Sequence, residues 1–226
     1  MEPIYGKNNK EELPLEFYLA KFQEGDPQEM ADRCALPYDG KRFTIHLMGD
    51  TFTISHPDFA IQGDREPTNP ERILFLRYLL DGRYIAPSGA YLTYREFPWG
   101  EVYLQQFTGR CIKRFAFSYG FKPELLRQVM ERMGARPISQ SDVGYELTLM
   151  RGLTMRFLLW VGDEGYELTL MDGLTMQFIL WLGDDEFPPN AQILFSDNFR
   201  TAFTAEDMAN IGDITIGRMK SIASAL

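Results

Sequence analysis

The densest cluster of groups able to do chemistry is Asp184, Asp185 and Glu186, set directly before Phe187-Pro188-Pro189-Asn190. Hard cations such as Mg2+ or Ca2+ need several oxygens close together, and a carboxylate within reach of a substrate proton can serve as a general base. Consecutive strand residues point to opposite faces, so three adjacent carboxylates converge only where the chain bends sharply. A solvated acidic turn is the competing expectation, and the stiff Pro-Pro step belongs to the kind of loop that positions side chains. The second candidate is the pair Arg95 and Glu96, in the stretch LTYREF. Arg95 can grip an anionic ligand through two parallel hydrogen bonds, or it can close an ion pair within the chain. Arg95, Glu96, Asp184, Asp185, Glu186 and Asn190 together form the candidate ligand-binding set. A pocket built from them requires the two segments to lie close in space.

Other groups offer less. Arg110, Lys113 and Arg114 recur at helical spacing and can attract a phosphate, although a solvated helix face explains them as well. His46 and His56 are the two histidines, and the hairpin register described below places them on opposite faces. They cannot chelate one metal together, and His56 is expected as a hydrogen-bonded core residue. Cys34 and Cys111 are far apart and lack CxxC spacing, so both are expected as reduced, buried thiols. GxSxG, a Walker-type loop, HExxH and a strand-to-helix GxGxxG are all missing from the sequence. No catalytic residue and no cofactor is assigned.

Composition narrows the partners. A formal net charge of −9 opposes a sequence-independent grip on phosphate backbones, so nucleic acid is not expected as a partner. No apolar run approaches the ~20 residues that span a bilayer, and the N-terminus MEPIYGKNNKEELP has neither a basic region nor an apolar core of a leader. The expectation is a cytoplasmic protein without membrane partners. At 226 residues with 45% hydrophobic and 14% aromatic content, one domain over 1–226 is expected, with 1–40 as a helical appendage.

The elements that must hold these residues follow from pattern. Helices are expected over Leu15 to Phe22 and from Asp26-Pro27, which suit the cap and first-turn positions. In FTIHLMGDTFTIS, a two-residue Gly49-Asp50 loop pairs Leu47 with Phe52 and Ile45 with Ile54, placing Phe43, Ile45, Leu47, Phe52 and Ile54 on one face. Asn69 as cap and Pro70 at the first helical position open ILFLRYLL, which Gly82 ends through a left-handed residue. A short strand runs from Tyr91 to Glu96. Leu104, Phe107, Cys111 and Phe115 then mark a helix closed by Gly120, another helix starts at Pro123, and Thr204 with Asp207 opens a C-terminal one. The class is α+β, with hairpins forming an antiparallel sheet and helices packed on one face.

One feature of the sequence is unusual. GYELTLMRGLTMRFLLWVGDE at 144–164 is followed at once by GYELTLMDGLTMQFILWLGDD at 165–185, with 16 of 21 positions identical. A three-residue loop of Met150, Arg151 and Gly152, with Gly152 left-handed in a bulge, pairs Leu149 with Leu153, Leu147 with Met155 and Tyr145 with Phe157. One face becomes apolar, while Glu146 faces Arg156 and Thr148 faces Thr154. The second copy repeats this, with Glu167 facing Gln177, and a four-stranded meander turning at Gly162 to Gly165 is expected. The extra length of sheet exposes an apolar face or an edge, so a homo-oligomer through the duplicated hairpin is expected.

The stretches NPERILFLRYLLDG at 69–82, AYLTYREFPWGEVYLQQF at 90–107 and GDDEFPPNAQILFSDNFRTAFTAEDMANIG at 183–212 resemble the domain of unknown function 3786 family of bacterial and archaeal proteins. The resemblance implies one hairpin before the FPP motif, where this chain has two, and it supplies no reaction and no catalytic residue. Its relatives fused to cysteine-rich segments imply a link to anaerobic metabolism. Three readings of function follow: a non-catalytic small-ligand-binding or accessory protein, a metal-dependent hydrolase or transferase using Asp184, Asp185 and Glu186, and a structural protein that self-associates through the repeats.

Overall fold

The computed structural model describes residues 12–133, 136–137, 143–150, 153–159, 164–171 and 174–226. Its architecture is α+β, with helices accompanying two sheets. The chain groups into two compact units, one of residues up to Ile45 with Thr51–Tyr84, the other of His46–Asp50 with Ile85–Leu226.

In the first unit, α1 spans Glu12–Glu24 and α2 spans Pro27–Cys34. Asp26 caps α2 by accepting the Gln28 and Glu29 amides at 2.8 and 3.3 Å. Strands β1 (Arg42–Leu47) and β2 (Asp50–Ser55) form the expected hairpin, whose tip at 46–50 groups with the second unit. Phe43, Ile45, Leu47, Phe52 and Ile54 are all fully buried. The turn itself falls one residue earlier than expected, at Met48-Gly49, because those two residues carry the positive φ values of 53° and 84°. The His56 amide consequently donates to the Lys41 carbonyl at 3.0 Å, rather than lying opposite Phe43. Moving a two-residue turn by one position shifts pairing by two, which preserves side-chain parity and hence the buried face. His56 Nε2 lies 2.9 Å from the Phe22 carbonyl oxygen, in hydrogen-bonding geometry. Strand β3 (Ile61–Gly63) completes this sheet beside β2.

Helix α3 (Asn69–Asp81) departs from expectation at both ends. Its cap is Thr68, not Asn69, because Glu71 three residues on completes a reciprocal pair with Thr68 and moves Asn69 and Pro70 into the first turn. At the other end Gly82 is extended, with φ −67°, rather than left-handed. The terminal carbonyls are satisfied from elsewhere: Arg33 donates to Leu79, Leu80 and Gly82, and the Cys34 thiol donates to the Tyr78 carbonyl. No left-handed cap is needed once those acceptors are filled. Cys34 and Cys111 are both buried free thiols, and burial pushes each up to about 12.

The second unit opens with β4 (Tyr91–Thr93), a single 3-10 turn at Tyr94–Glu96, and a long helical run of α4 (Gly100–Phe107), a π-helical stretch at Thr108–Lys113, and α5 (Arg114–Tyr119). The π stretch has a readable cause. Phe107, Cys111, Phe115 and Tyr119 are all buried at four-residue intervals, which would rotate about 40° per step around a regular α-helix. One widened turn takes back part of that drift and keeps the stripe on the core. After α6 (Pro123–Arg132) come β5 (Arg136–Pro137), β6 (Val143–Met150), β7 (Leu153–Leu159), β8 (Glu164–Met171), β9 (Leu174–Trp181) and β10 (Asn190–Ser196), then α7 (Phe199–Ala202) and α8 (Ala205–Ala223). Thr204 and Asp207 form the cap of α8, with the Thr204 hydroxyl donating to Asp207 at 2.7 Å.

The second sheet runs β4-β10-β9-β7-β8-β6-β5. Ala191, Ile193 and Phe195 alternate into the core from β10, and Met176 and Leu180, opposite Phe195 and Ala191 on β9, are buried with them. Tyr94 stacks on Phe107 at 4.0 Å between centroids, and its hydroxyl donates to the Ala205 carbonyl. Within β6 and β7, Tyr145 faces Phe157, Glu146 faces Arg156 and Leu147 faces Met155. Leu153 faces Met150 rather than Leu149, with the irregularity taken up between Thr148 and Met150. The pairs in β8 and β9 follow the same pattern. Arg151, Gly152 and the connection 160–163 lie outside the described residues, so the left-handed glycine and the turn between copies do too. The strand order is also not a simple meander, since β6 and β8 share a parallel pairing at Leu147–Leu168 and Thr148–Thr169.

Candidate functional site

Each candidate side chain in the 183–190 segment is set by its own turn. The Asp184 carboxylate accepts the Glu186 and Phe187 amides at 2.8 and 2.7 Å, while its own amide donates to the Phe187 carbonyl at 3.0 Å. An aspartate that holds the backbone two and three residues on is a turn former. Those amides, Phe187 first, hold its carboxyl below the usual carboxylate range. Asp184, Asp185 and Glu186 are all exposed. Asn190 opens β10 opposite Trp181, and its side-chain oxygen accepts the Ala191 amide.

The other candidate segment is equally local. The Thr93 amide and hydroxyl both donate to Glu96, at 2.7 and 2.8 Å, which caps the 3-10 turn and lowers the Glu96 carboxyl. Arg95 pairs with Glu101 at 2.9 Å, both side chains exposed. Strand β4 joins β10 through Thr93–Leu194, so one sheet carries both segments. Among the described residues, no hydrogen bond or ion pair links Arg95 or Glu96 to Asp184, Asp185, Glu186 or Asn190. Nor is any group of three or more His, Cys, Asp or Glu among the described residues placed to hold a metal.

Both arginines of the basic patch are engaged within the chain. Arg110 and Arg114 both pair with Asp213 of α8, and Arg110 also reaches Asn210. Pattern reading missed Asp213 because its partners lie a hundred positions away.

What the loop does present is aromatic surface. The Gly183 amide donates to the Gly120 carbonyl at 2.9 Å, fastening the chain after β9 to the corner after α5. A side chain at either glycine would collide, at Gly120 with buried Pro189 and at Gly183 with Phe121 and Pro189. Two glycines are therefore required for this close approach. The junction leaves Phe121 56% and Phe187 66% exposed, with Trp181 partly exposed two residues before Gly183. Pattern reading missed both, because a phenylalanine is read as core unless the fold shows it outside.

The family model described as Domain of unknown function (DUF3786) matches residues 26–170 and again residues 162–218. The chain belongs to this family. Arg95 and Glu96 fall within the first match and Asp184 to Asn190 within the second, so both candidate segments are family positions. No curated protein and no solved structure matches the chain. No helix among the described residues is long and apolar enough to cross a membrane.

Proposed function

We propose that this member of the family is a non-catalytic accessory protein that binds a partner protein through the aromatic corner at Gly120–Gly183. The observation that supports this reading is the division of labour in the 183–190 loop. Asp184 is committed to backbone amides that shape the turn, while Phe187 and the neighbouring Phe121 face solvent. Large apolar rings held in water gain free energy when a partner covers them, in proportion to the area removed. Asp184, Asp185 and Glu186 border the rings, and the whole chain carries −9. The complementary partner is a protein segment with an apolar centre flanked by Lys or Arg, steered in by charge.

A peptide array tests this, using aliphatic and aromatic segments flanked either by Lys and Arg or by Asp and Glu. Expected is retention of the basic-flanked set by the full chain, weakened by added salt and lost in the Phe121→Ser/Phe187→Ser double variant. Retention that ignores both flank charge and the double substitution would overturn the reading. The metal-dependent alternative draws no comparable support, because one Asp184 oxygen already accepts two amides.

A further inference from the structure

We propose that the partner of the aromatic corner continues away from it as an amphipathic helix, laid along the solvent side of the α4–α5 run and carrying acidic residues opposite Gly109 and Lys113. The helix rests on the corner reading and gives that partner a secondary structure and an order of charges.

The run from Gly100 to Tyr119 turns one side inward, through Phe107, Cys111, Phe115 and Tyr119, and the opposite side to solvent. Val102, Gln106, Gly109, Lys113 and Phe117 are all exposed and recur every three or four positions, so they form one line along that outer side. The widened turn that keeps the inner stripe in register does the same for this line. Its ends are apolar: Val102 is 68% and Phe117 63% exposed, and Trp99, just before α4, is 75% exposed. Val102 and Phe117 stand roughly 20 Å apart along a helix rising ~1.5 Å per residue. Phe117 is also four residues before Phe121, so one end of the line adjoins the corner.

In the middle of the line, a Cβ at Gly109 would meet nothing within 4 Å, unlike one at Gly100, which would strike the Tyr94 carbonyl. The fold therefore does not require glycine at 109, and glycine inside a helix costs stability relative to alanine. What bare backbone provides is close approach by a second backbone. A helix makes that approach while repeating its contacts at the three- and four-residue spacing of the line. Charge then sets the composition. Lys113 joins no ion pair among the described residues, and the Arg110 side chain stays 47% exposed although Asp213 holds it. At the corner end stand Asp184, Asp185 and Glu186, all exposed. The complementary helix has Asp or Glu beside a small central residue, Lys or Arg at the end over the corner, and apolar residues facing Val102 and Phe117.

Two synthetic helical peptides of one composition separate the outcomes, the first with this charge order and the second with acidic and basic residues exchanged. Each is titrated calorimetrically into the full-length parent, Val102→Ser and Gly109→Leu chains, beside a short basic-flanked apolar peptide that covers the corner alone. Open space at Gly109 lets Gly109→Leu fold, which a thermal midpoint at or above that of the parent verifies. Expected is binding of the first peptide to the parent at least about tenfold tighter than the second, and a loss of at least about tenfold in each variant, while the short peptide keeps its affinity for both. A first peptide that binds both variants as tightly as the parent, or that binds the parent no better than the second does, would overturn the helix. Short-peptide binding untouched by Phe121→Ser would instead sink the corner reading, so the two failures are distinct. A parent that dimerises in light scattering, with the dimer lost in Gly109→Leu, would put a second copy on the line and overturn the partner helix as well.

Discussion

Two turns in this protein are built from the same four-residue pattern and have opposite fates. Thr68-Asn69-Pro70-Glu71 opens α3, and Thr93-Tyr94-Arg95-Glu96 opens the 3-10 turn after β4. In both, the threonine amide and hydroxyl donate to the glutamate, at 2.7 and 3.0 Å in the first and 2.7 and 2.8 Å in the second. Glu71, however, is only 2% exposed and is gripped by Arg65 through two bonds of 2.8 and 2.6 Å. Glu96 stands in water, and its neighbour Arg95 turns away to Glu101. Burial works to raise the Glu71 carboxyl, and Arg65 with Thr68 outweighs it, leaving the group below the usual range. The same threonine-to-glutamate bonds are thus a stability element in one place and a shaping element in the other, because the surrounding dielectric decides what a charge pair is worth.

The largest expected effect breaks the buried member. Arg65→Met leaves the buried carboxylate without its cationic partner, held by Thr68 alone, and should cost about 3 kcal/mol in denaturant unfolding. Arg95→Met should leave the midpoint where it is, since that side chain is exposed. A comparable loss from both would erase the distinction. Next comes acid. Because its folded-state carboxyl titrates lower than the unfolded one, Glu71 contributes stability above the ordinary value of roughly 4.3, and that contribution disappears as pH falls through the lowered folded value. Glu71→Gln should therefore be less stable than the parent at neutral pH and converge with it in acid, as read from thermal midpoints across pH. A constant gap would contradict the assignment. The third box, Thr204 with buried Asp207, provides an intermediate case. Thr204→Ala should cost about 1 kcal/mol, measured by the same unfolding curves. Smallest is Glu96→Gln, for which an unchanged thermal midpoint is expected.

The hairpin faces were legible because alternation fixes which residues share a side even when the turn is misplaced by one. The Thr68 cap was obscured by Asn69-Pro70, a stronger-looking start, although the T-x-x-E spacing was present. The same spacing at Thr93 marks Glu96 as a cap, and the Asp184 turn is a familiar use of aspartate, so two of the candidate carboxylates carried their structural roles in plain sequence. The Arg33 grip on the end of α3 and the Asp213 pairs depend on residues distant in the chain, which no local pattern encodes. Phe121 and Phe187 were hidden for the opposite reason, since apolar residues are read as core unless the fold shows them outside.

The central claim is that Asp184 shapes the 183–190 turn while Phe187, together with Phe121 beside Gly183, supplies the binding surface. Calorimetric titration of a basic-flanked apolar peptide into the parent, Glu96→Gln, Phe121→Ser and Phe187→Ser chains tests it most directly. Equal affinity for the parent and Glu96→Gln, with at least about a tenfold loss for each ring variant, corresponding to about 1.4 kcal/mol, is the predicted result. Unchanged binding by Phe121→Ser and Phe187→Ser, with loss in Glu96→Gln, would contradict it.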